Sequence, residues 1–208
     1  MRIHVLVEGP SETALLRPWL KRFQPGHSHH IVEHQGKGSL PKDPAAPPNP
    51  VRRGLLDQLP AKLRAYGATL DPRTDRVLVL VDADDDDCVA LKRSMAELLA
   101  VHDSRPMAMF RIAVEEVEAF YLGDVEAIRG AFGRVRRTQY NSYQQDSIVG
   151  TWEAFQAVIA AKYVDKVGWA QRMGQTLGTE FSGPRCNRSP SFVQFCRALQ
   201  LLAGDPLP

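Results

Sequence analysis

The stretch Arg76-Val-Leu-Val-Leu-Val-Asp82-Ala-Asp84 decides the fold class. Its five consecutive apolar residues are too hydrophobic for a strand with one face in water, so they predict a central strand of a parallel sheet covered on both faces. The other predicted strands are residues 2–7, 29–34 and 107–114. The helices predicted between them by apolar periodicity are residues 13–23, 51–66 and 88–101. This alternation indicates an α/β fold with a mostly parallel sheet flanked by helices.

The rest of the chain predicts mainly helices and one unusual loop. The helical patterns are residues 124–132, 151–162, 167–177 and 189–203, the last with Ser189 as N-cap and Pro190 in first position. We therefore expect an α/β core at residues 1–125 and a helical C-terminal extension packed on it at 126–208. Residues 35–50 are rich in glycine and proline and predict a long loop, which is typical of a functional lid or of disorder.

The composition is that of an ordinary globular protein. The 208 residues are 44% hydrophobic and 24% charged, and 26 Lys and Arg against 24 Asp and Glu leave a net charge of +2 without a basic tail. Three cysteines without Cys-x-x-Cys spacing argue against a disulfide framework or a structural zinc site. An acid at Glu8 and the lack of an 18-residue apolar run argue against a signal peptide and a membrane span, so we expect a cytoplasmic protein.

Acidic residues follow two of the predicted strands directly. Glu8 follows strand 2–7, with Glu12 four residues later, and Asp82 and Asp84 follow the most apolar strand. The carboxyl ends of parallel strands meet at one edge, where α/β proteins place their active sites. Alternation directs Asp82 and Asp84 to the same side, and such carboxylates form an oxygen cage suited to Mg²⁺ or Mn²⁺. The alternative is a solvated acidic turn in which residues 85–87 cap the next helix.

A third acidic group follows the last predicted strand and leaves two arrangements open. If residues 107–118 stay extended, Glu116 and Glu118 share a face. If a helix begins at Glu115, that residue and Glu118 do. An acidic helix N-terminus without any chemistry explains the same residues.

Three familiar motifs fail on position or context. A calcium-binding hand that starts at the aspartate run needs Gly at its sixth position and Glu at its twelfth, where this chain has Asp87 and Arg93. Lys37 lies between two glycines but lacks the earlier glycine of a phosphate loop; it remains placed to contact a phosphate. His30-Ile-Val-Glu-His34 matches an inverted zinc-protease motif, yet it falls on a predicted strand instead of a helix.

Four segments, in this order along the chain, resemble the DUF4276 family. They are Val-Leu-Val-Glu8-Gly-Pro-Ser-Glu12, Val-Leu-Val-Asp82-Ala-Asp84, Glu115-Glu-Val-Glu-Ala-Phe-Tyr-Leu-Gly-Asp124 and Ser189-Pro-Ser-Phe-Val-Gln-Phe195. The resemblance covers about residues 2–202. DUF4276 is regarded as a relative of the TOPRIM domains of topoisomerases, primases and OLD-type nucleases, so the resemblance implies a TOPRIM-like sheet. At Phe120 the chain departs from the tryptophan of the family pattern.

The resemblance also implies roles for individual residues. Glu8 matches the TOPRIM glutamate that acts as a general base or metal ligand, and Asp82 and Asp84 match the pair that holds Mg²⁺. OLD-type nucleases add further acids and a lysine. The matching acids here are Glu12 and either Glu116 or Glu118, and for the lysine we choose Lys166 over Lys162.

The reaction implied is metal-dependent hydrolysis of a phosphodiester with Mg²⁺ or Mn²⁺ as cofactor. DNA or RNA is the expected substrate, with Lys37, Arg185 and Arg188 as candidates to bind its backbone. The resemblance further implies an ABC- or AAA-type ATPase partner, as in phage-defence systems. Two alternatives stay open: a non-catalytic TOPRIM-fold binding or regulatory module, and a phosphoryl-transfer enzyme that acts on a nucleotide.

Overall fold

A four-stranded, all-parallel sheet forms the centre of the computed structural model, which describes residues 1–101, 104–147 and 150–207. The strands are β1 (Arg2–Val7), β2 (Ser28–Glu33), β3 (Asp75–Asp82) and β4 (Ala108–Ala113), in the order β2-β1-β3-β4. The predicted α/β fold is confirmed, and each strand bound lies within one residue of its predicted position. Residues 77–81 of β3 are all fully buried, as their composition requires.

Helices occupy both faces of the sheet and most of the C-terminal part. Those in the described residues are α1 (Pro10–Phe23), α2 (Leu55–Thr69), α3 (Cys88–Ala100), α4 (Glu118–Leu122), α5 (Val125–Phe132), α6 (Arg137–Ser142), α7 (Thr151–Ile159), α8 (Lys166–Thr176) and α9 (Pro190–Ala203). Ser189 caps α9 as predicted and accepts a hydrogen bond from the Phe192 amide. Helix α6 was not predicted, and α2 begins at Leu55 instead of residue 51.

The two faces of the sheet contribute to separate hydrophobic cores. On one face, Val5 and Leu80 pack with helices that include the C-terminal ones, through side chains such as Trp19 and Phe195. On the other face, Val79 packs with α2 and α3. Strand residues alternate between the two cores because successive side chains point to opposite faces. The C-terminal helices α8 and α9 therefore share one core with the sheet.

Helix α1 begins earlier than its apolar pattern suggests. Gly9 is the N-cap, and Pro10 takes the first helical position, where its missing N–H costs no hydrogen bond. Glu12 reaches back and accepts the Gly9 amide at 2.8 Å. The start of α1 therefore fixes the Glu12 carboxylate beside the end of β1.

Helix α4 begins three residues later than the helix start expected at Glu115. Glu115 has a left-handed backbone conformation with φ of 60°, which breaks the chain direction after β4. Residues 34–54 contain neither helix nor strand. Part of this loop is held to the sheet, since the Gly36 amide donates to the Glu8 carbonyl at 2.8 Å.

No helix within the described ranges is both long and apolar enough to cross a membrane. Cys88, Cys186 and Cys196 are all free thiols.

Helices α1 and α8 approach each other closely at Gly174. A Cβ atom at this position would lie 2.3 Å from the Leu15 carbonyl oxygen and 2.7 Å from Cγ of Pro18. Pro18 lies inside α1, so its ring forms part of this tight crossing instead of ending the helix. We expect Gly174 to be required for the packing of α8 on the core.

Gly174→Ala is predicted to lower the free energy of unfolding by about 1–3 kcal/mol, because the new methyl group overpacks a backbone contact. Gly130→Ala is the matched control, since its Cβ would meet only Thr176 at an ordinary 3.5 Å. The control should be neutral or stabilising by up to about 1 kcal/mol through helix propensity. Urea denaturation measures both; equal effects of the two substitutions would show that the crossing is not tight.

Candidate active site

The carboxyl-terminal edge of the sheet brings the acidic segments together. Strand β3 lies between β1 and β4, so Asp82 lies between the residues that follow β1 and those that follow β4. We call the resulting group the acidic cluster; its members are Glu8, Glu12, Asp82, Glu116 and Glu118. The charges of the other four all raise the pKa of Asp82, after the larger effect of burial.

Glu8 is tied to the neighbouring strand. Its Oε1 accepts a hydrogen bond from the Asp82 amide at 2.8 Å. Burial raises the pKa of Glu8 to about 7; the bond from Asp82 opposes this shift, and the charges of Glu12 and Asp84 add to it. Glu8 therefore exchanges its proton near neutral pH.

Glu12 is held from two sides by its own helix start. Its side chain accepts hydrogen bonds from the Gly9 amide at 2.8 Å and from the Ser11 hydroxyl at 2.7 Å. Only 4% of the residue is exposed. The two donors keep this carboxylate in place, and its charge acts on the rest of the acidic cluster.

Asp82 and Glu118 carry buried oxygens without a partner. Asp82 Oδ1 and Glu118 Oε1 accept no hydrogen bond from any described residue. Glu118 is 2% exposed, and burial raises its pKa to about 7 although the nearby Lys166 charge opposes the shift. Such groups are costly unless a proton, a cation or a donor satisfies them.

Lys166 is the ammonium group at the acidic cluster. Its Nζ donates to Glu116 Oε1 at 2.8 Å and lies 5.3 Å from the centroid of the Trp152 ring. Burial lowers the pKa of Lys166, but the charges of Glu118 and Glu116 outweigh it and raise the pKa overall. Lys166 therefore stays protonated beside the carboxylates.

Lys37 makes a second ammonium contact at the rim of the site. Its Nζ donates to the Ala83 carbonyl at 2.6 Å and pairs with Asp84 at 3.0 Å and Asp86 at 2.8 Å. The Asp84 side chain is 55% exposed and its backbone is left-handed, with φ of 48°. Asp84 thus faces Lys37 of the 34–54 loop. Asp87 accepts a hydrogen bond from the Ala90 amide and so caps α3. For this residue the structure agrees with the alternative in which residues 85–87 cap the next helix.

The three glutamates that follow β4 have different partners. The Glu115 carboxylate accepts the Gly150 and Thr151 amides at 2.8 and 2.9 Å and so holds the start of α7. Glu116 instead accepts a hydrogen bond from Lys166, and the charge of Glu118 acts on the same lysine. Neither regular backbone considered from the sequence is observed, because β4 ends at Ala113 and α4 begins only at Glu118.

Arg185 and Arg188 make no hydrogen bond or ion pair with the acidic cluster within the described residues. They line a cavity of about 730 Å³ whose wall includes Gly123 and Thr176, at the ends of α4 and α8. Arg185 pairs with Glu180 at 3.3 Å, and both side chains are exposed.

The acidic cluster fits a hard divalent cation by its donor chemistry. Carboxylate oxygens are the ligands that Mg²⁺ and Mn²⁺ prefer, and the unpartnered oxygens of Asp82, Glu116 and Glu118 are buried. In the chain outside its three undescribed segments, no group of three or more His, Cys, Asp or Glu side chains already stands in a metal-binding arrangement. Protein donors hold several of these carboxylates, so small side-chain rotations would have to complete a ligand set.

The fold and the site together define an all-parallel α/β protein with a buried acidic cluster at the carboxyl edge of its sheet. The chain belongs to the family described as Domain of unknown function (DUF4276), whose model matches residues 7–200. That range contains every residue of the acidic cluster and both lysines. Comparisons with curated proteins and with solved structures gave no match.

Glu118→Gln is predicted to flatten the pH dependence of stability in EDTA. In the folded protein the pKa of Glu118 is about 7, which lies above the ordinary 4.5. The contribution of Glu118 to the free energy of unfolding is therefore full below pH 4.5 and is lost as the pH rises through 7. Relative to the variant, the wild type should lose at most about 3 kcal/mol between pH 5 and pH 8. Urea denaturation at four pH values measures this difference.

Glu97→Gln serves as the control, because Glu97 is exposed and about 13 Å of helix separates it from the start of α3 at the carboxyl edge of the sheet. This variant should keep the wild-type pH dependence. A Glu118→Gln variant whose stability follows the wild-type curve would contradict the buried, protonated state of Glu118.

Proposed function

We propose that this chain is a Mg²⁺- or Mn²⁺-dependent phosphodiester hydrolase that acts on nucleic acid. The observation that carries the proposal is the buried excess of carboxylate at the sheet edge. The five carboxyl groups of the acidic cluster outnumber the two ammonium groups beside them, Lys166 and Lys37, and among the described residues three of their buried oxygens lack a partner. A divalent cation satisfies such oxygens better than any side chain within reach, and it is the usual cofactor of phosphoryl transfer.

Asp82, Glu116 and Glu118 are the residues that would hold the ion, with Glu8 and Glu12 beside them. When bound, the ion supplies charge neutralisation of the phosphate and activation of water. Asp82 is central because it lies on β3, between the carboxylates contributed from β1 and from the segment after β4.

Glu8 suits the role of general base. A base works best when its pKa lies near the operating pH, and the pKa of Glu8 is about 7. Its bond to the Asp82 amide orients the side chain and leaves Oε2 as the atom that takes a proton from water.

The two lysines suit phosphate binding. Lys166 is charged and partly exposed at the acidic cluster, so it can donate to a phosphate oxygen once Glu116 engages the ion. Lys37 lies at the rim, where it now pairs with Asp84 and Asp86. Each ammonium has three donors and can exchange a carboxylate for a phosphate.

The relation to TOPRIM domains and OLD-type nucleases that the DUF4276 resemblance implies supports the same assignment. The first three segments that carry this resemblance are the ones that meet at the sheet edge. We extend the proposal to a cytoplasmic protein that works with an ABC- or AAA-type ATPase in phage defence. The net charge of +2 supports a partner, because a chain with so little positive charge gains from a second protein that presents the substrate.

A non-catalytic binding or regulatory module is the second candidate. The observation that favours it is the Lys37 ammonium, which already contacts three oxygens at the rim of the site. In such a module the lysines would permanently replace the cation.

Hydrolysis of bis(p-nitrophenyl) phosphate with Mn²⁺ tests the proposal without a need for the natural substrate or partner. We expect metal-dependent hydrolysis by the wild type. Glu8→Gln removes the base and should lower the rate by about 100-fold or more, as should Asp82→Asn. Glu97→Gln should keep the wild-type rate. A folded wild type without metal-dependent hydrolysis would favour the non-catalytic module. Hydrolysis that is unchanged in both Glu8→Gln and Asp82→Asn would place the reaction outside the acidic cluster and overturn the proposal.

A further inference from the structure

The outer edge of β4 is a second feature of the sheet with unsatisfied groups. Among the described strands β4 pairs with β3 alone, and in this parallel ladder alternate residues face the partner strand. The Val77 amide bonds to the Met107 carbonyl and the Ala83 amide to the Ala113 carbonyl, both at 2.9 Å. The odd-numbered residues of β4 therefore face β3, and the backbone groups of Phe110 and Ile112 face outward.

Part of this edge is already satisfied. The Phe110 carbonyl accepts a hydrogen bond from Arg111 Nη1 at 2.8 Å, and the Val114 carbonyl accepts the Glu116 amide at 2.9 Å. Within the described residues, no group bonds to the outward amides of Phe110 and Ile112 or to the Ile112 carbonyl. Unpaired groups along a strand edge are a template for another strand.

A groove of about 590 Å³ lies over this edge, between α3 and α9. Phe110, Ile112 and Val114 of the β4 segment line it, and Val89 and Pro190 contribute apolar surface from the two helices. Val89 is 67% exposed, so its side chain is accessible at the groove. The groove thus offers apolar walls beside free backbone donors and an acceptor.

The charge at the groove identifies the occupant. Lys92, Arg93 and Arg111 line it, and Asp146 is the one carboxylate among the lining residues. Asp146 is already engaged, because its two oxygens accept from the Ser189 hydroxyl and the Ser191 amide. The remaining charge is positive. A second copy of this chain would bring the same positive charges together, whereas an acidic segment complements them.

We propose that the β4 edge binds an extended segment of another protein, in which acidic residues alternate with apolar ones, as a fifth strand of the sheet. Main-chain bonds to Phe110 and Ile112 would fix the added strand, and its alternate side chains would meet the apolar walls and the basic residues. This surface lies outside the acidic cluster, so the proposal stands independently of the hydrolase activity.

The test is selection of binders from a displayed library of random heptapeptides with the full chain as target. We expect enrichment of sequences that alternate Asp or Glu with Val, Ile or Leu. A synthetic peptide of the enriched sequence should slow hydrogen exchange at the amides of Phe110 and Ile112. The same peptide should bind the Ile112→Pro variant at least tenfold more weakly than the wild type. Proline lacks the backbone amide that faces outward at this position, whereas the hydrogen bonds between β4 and β3 do not involve that amide.

A charge variant keeps the test informative if the proline variant fails to fold. Lys92→Glu with Arg93→Glu should weaken peptide binding at least tenfold, and Arg17→Glu with Lys21→Glu, an equal charge change on exposed residues of α1, should not. The proposal would be overturned if no sequence is enriched, or if the enriched peptides bind the groove variants as tightly as they bind the wild type. A concentration-dependent dimer of the wild type that Ile112→Pro abolishes would also overturn it, in favour of self-association.

Discussion

The burial of several carboxyl groups at one edge of the sheet is the constraint on which the account depends. Within the described residues, Asp82 and Glu118 hold oxygens away from water without a hydrogen-bond partner, and burial raises the pKa values of Glu8 and Glu118 to about 7. A fold that only needed stability would replace such groups with apolar ones. The hydrolase that we propose uses a divalent cation to satisfy these oxygens.

The fold explains why these residues meet. The apolar run of β3 must be covered on both faces, which places it in the middle of a parallel sheet. Each parallel strand then delivers the residue after it to the same edge. Glu12 and Lys166 enter from helix starts, at α1 and α8, whose positions depend on the close contact at Gly174. The site therefore draws on both the sheet and the C-terminal helices.

All four strands were predictable from the sequence, as were the acidic residues that directly follow them, because strand hydrophobicity and strand-end position are local signals. Glu8 and Asp82 are found in this way. The left-handed turn at Glu115, which separates it from Glu118, depends on its bonds to residues 150 and 151 and has no local signal. The pairing of Asp84 with Lys37 likewise depends on a loop that packs against the end of β3.

Calorimetric titration of Mn²⁺ into the metal-free wild type at pH 7.5 tests the central claim most directly, since it asks only whether the buried carboxylates attract a cation. The partner variant is Asp82→Asn with Glu118→Gln, which keeps the volume of both side chains and removes both charges. The account predicts stoichiometric binding by the wild type and none by the folded double variant. Absence of binding in the wild type, or equal binding by the variant, would contradict it.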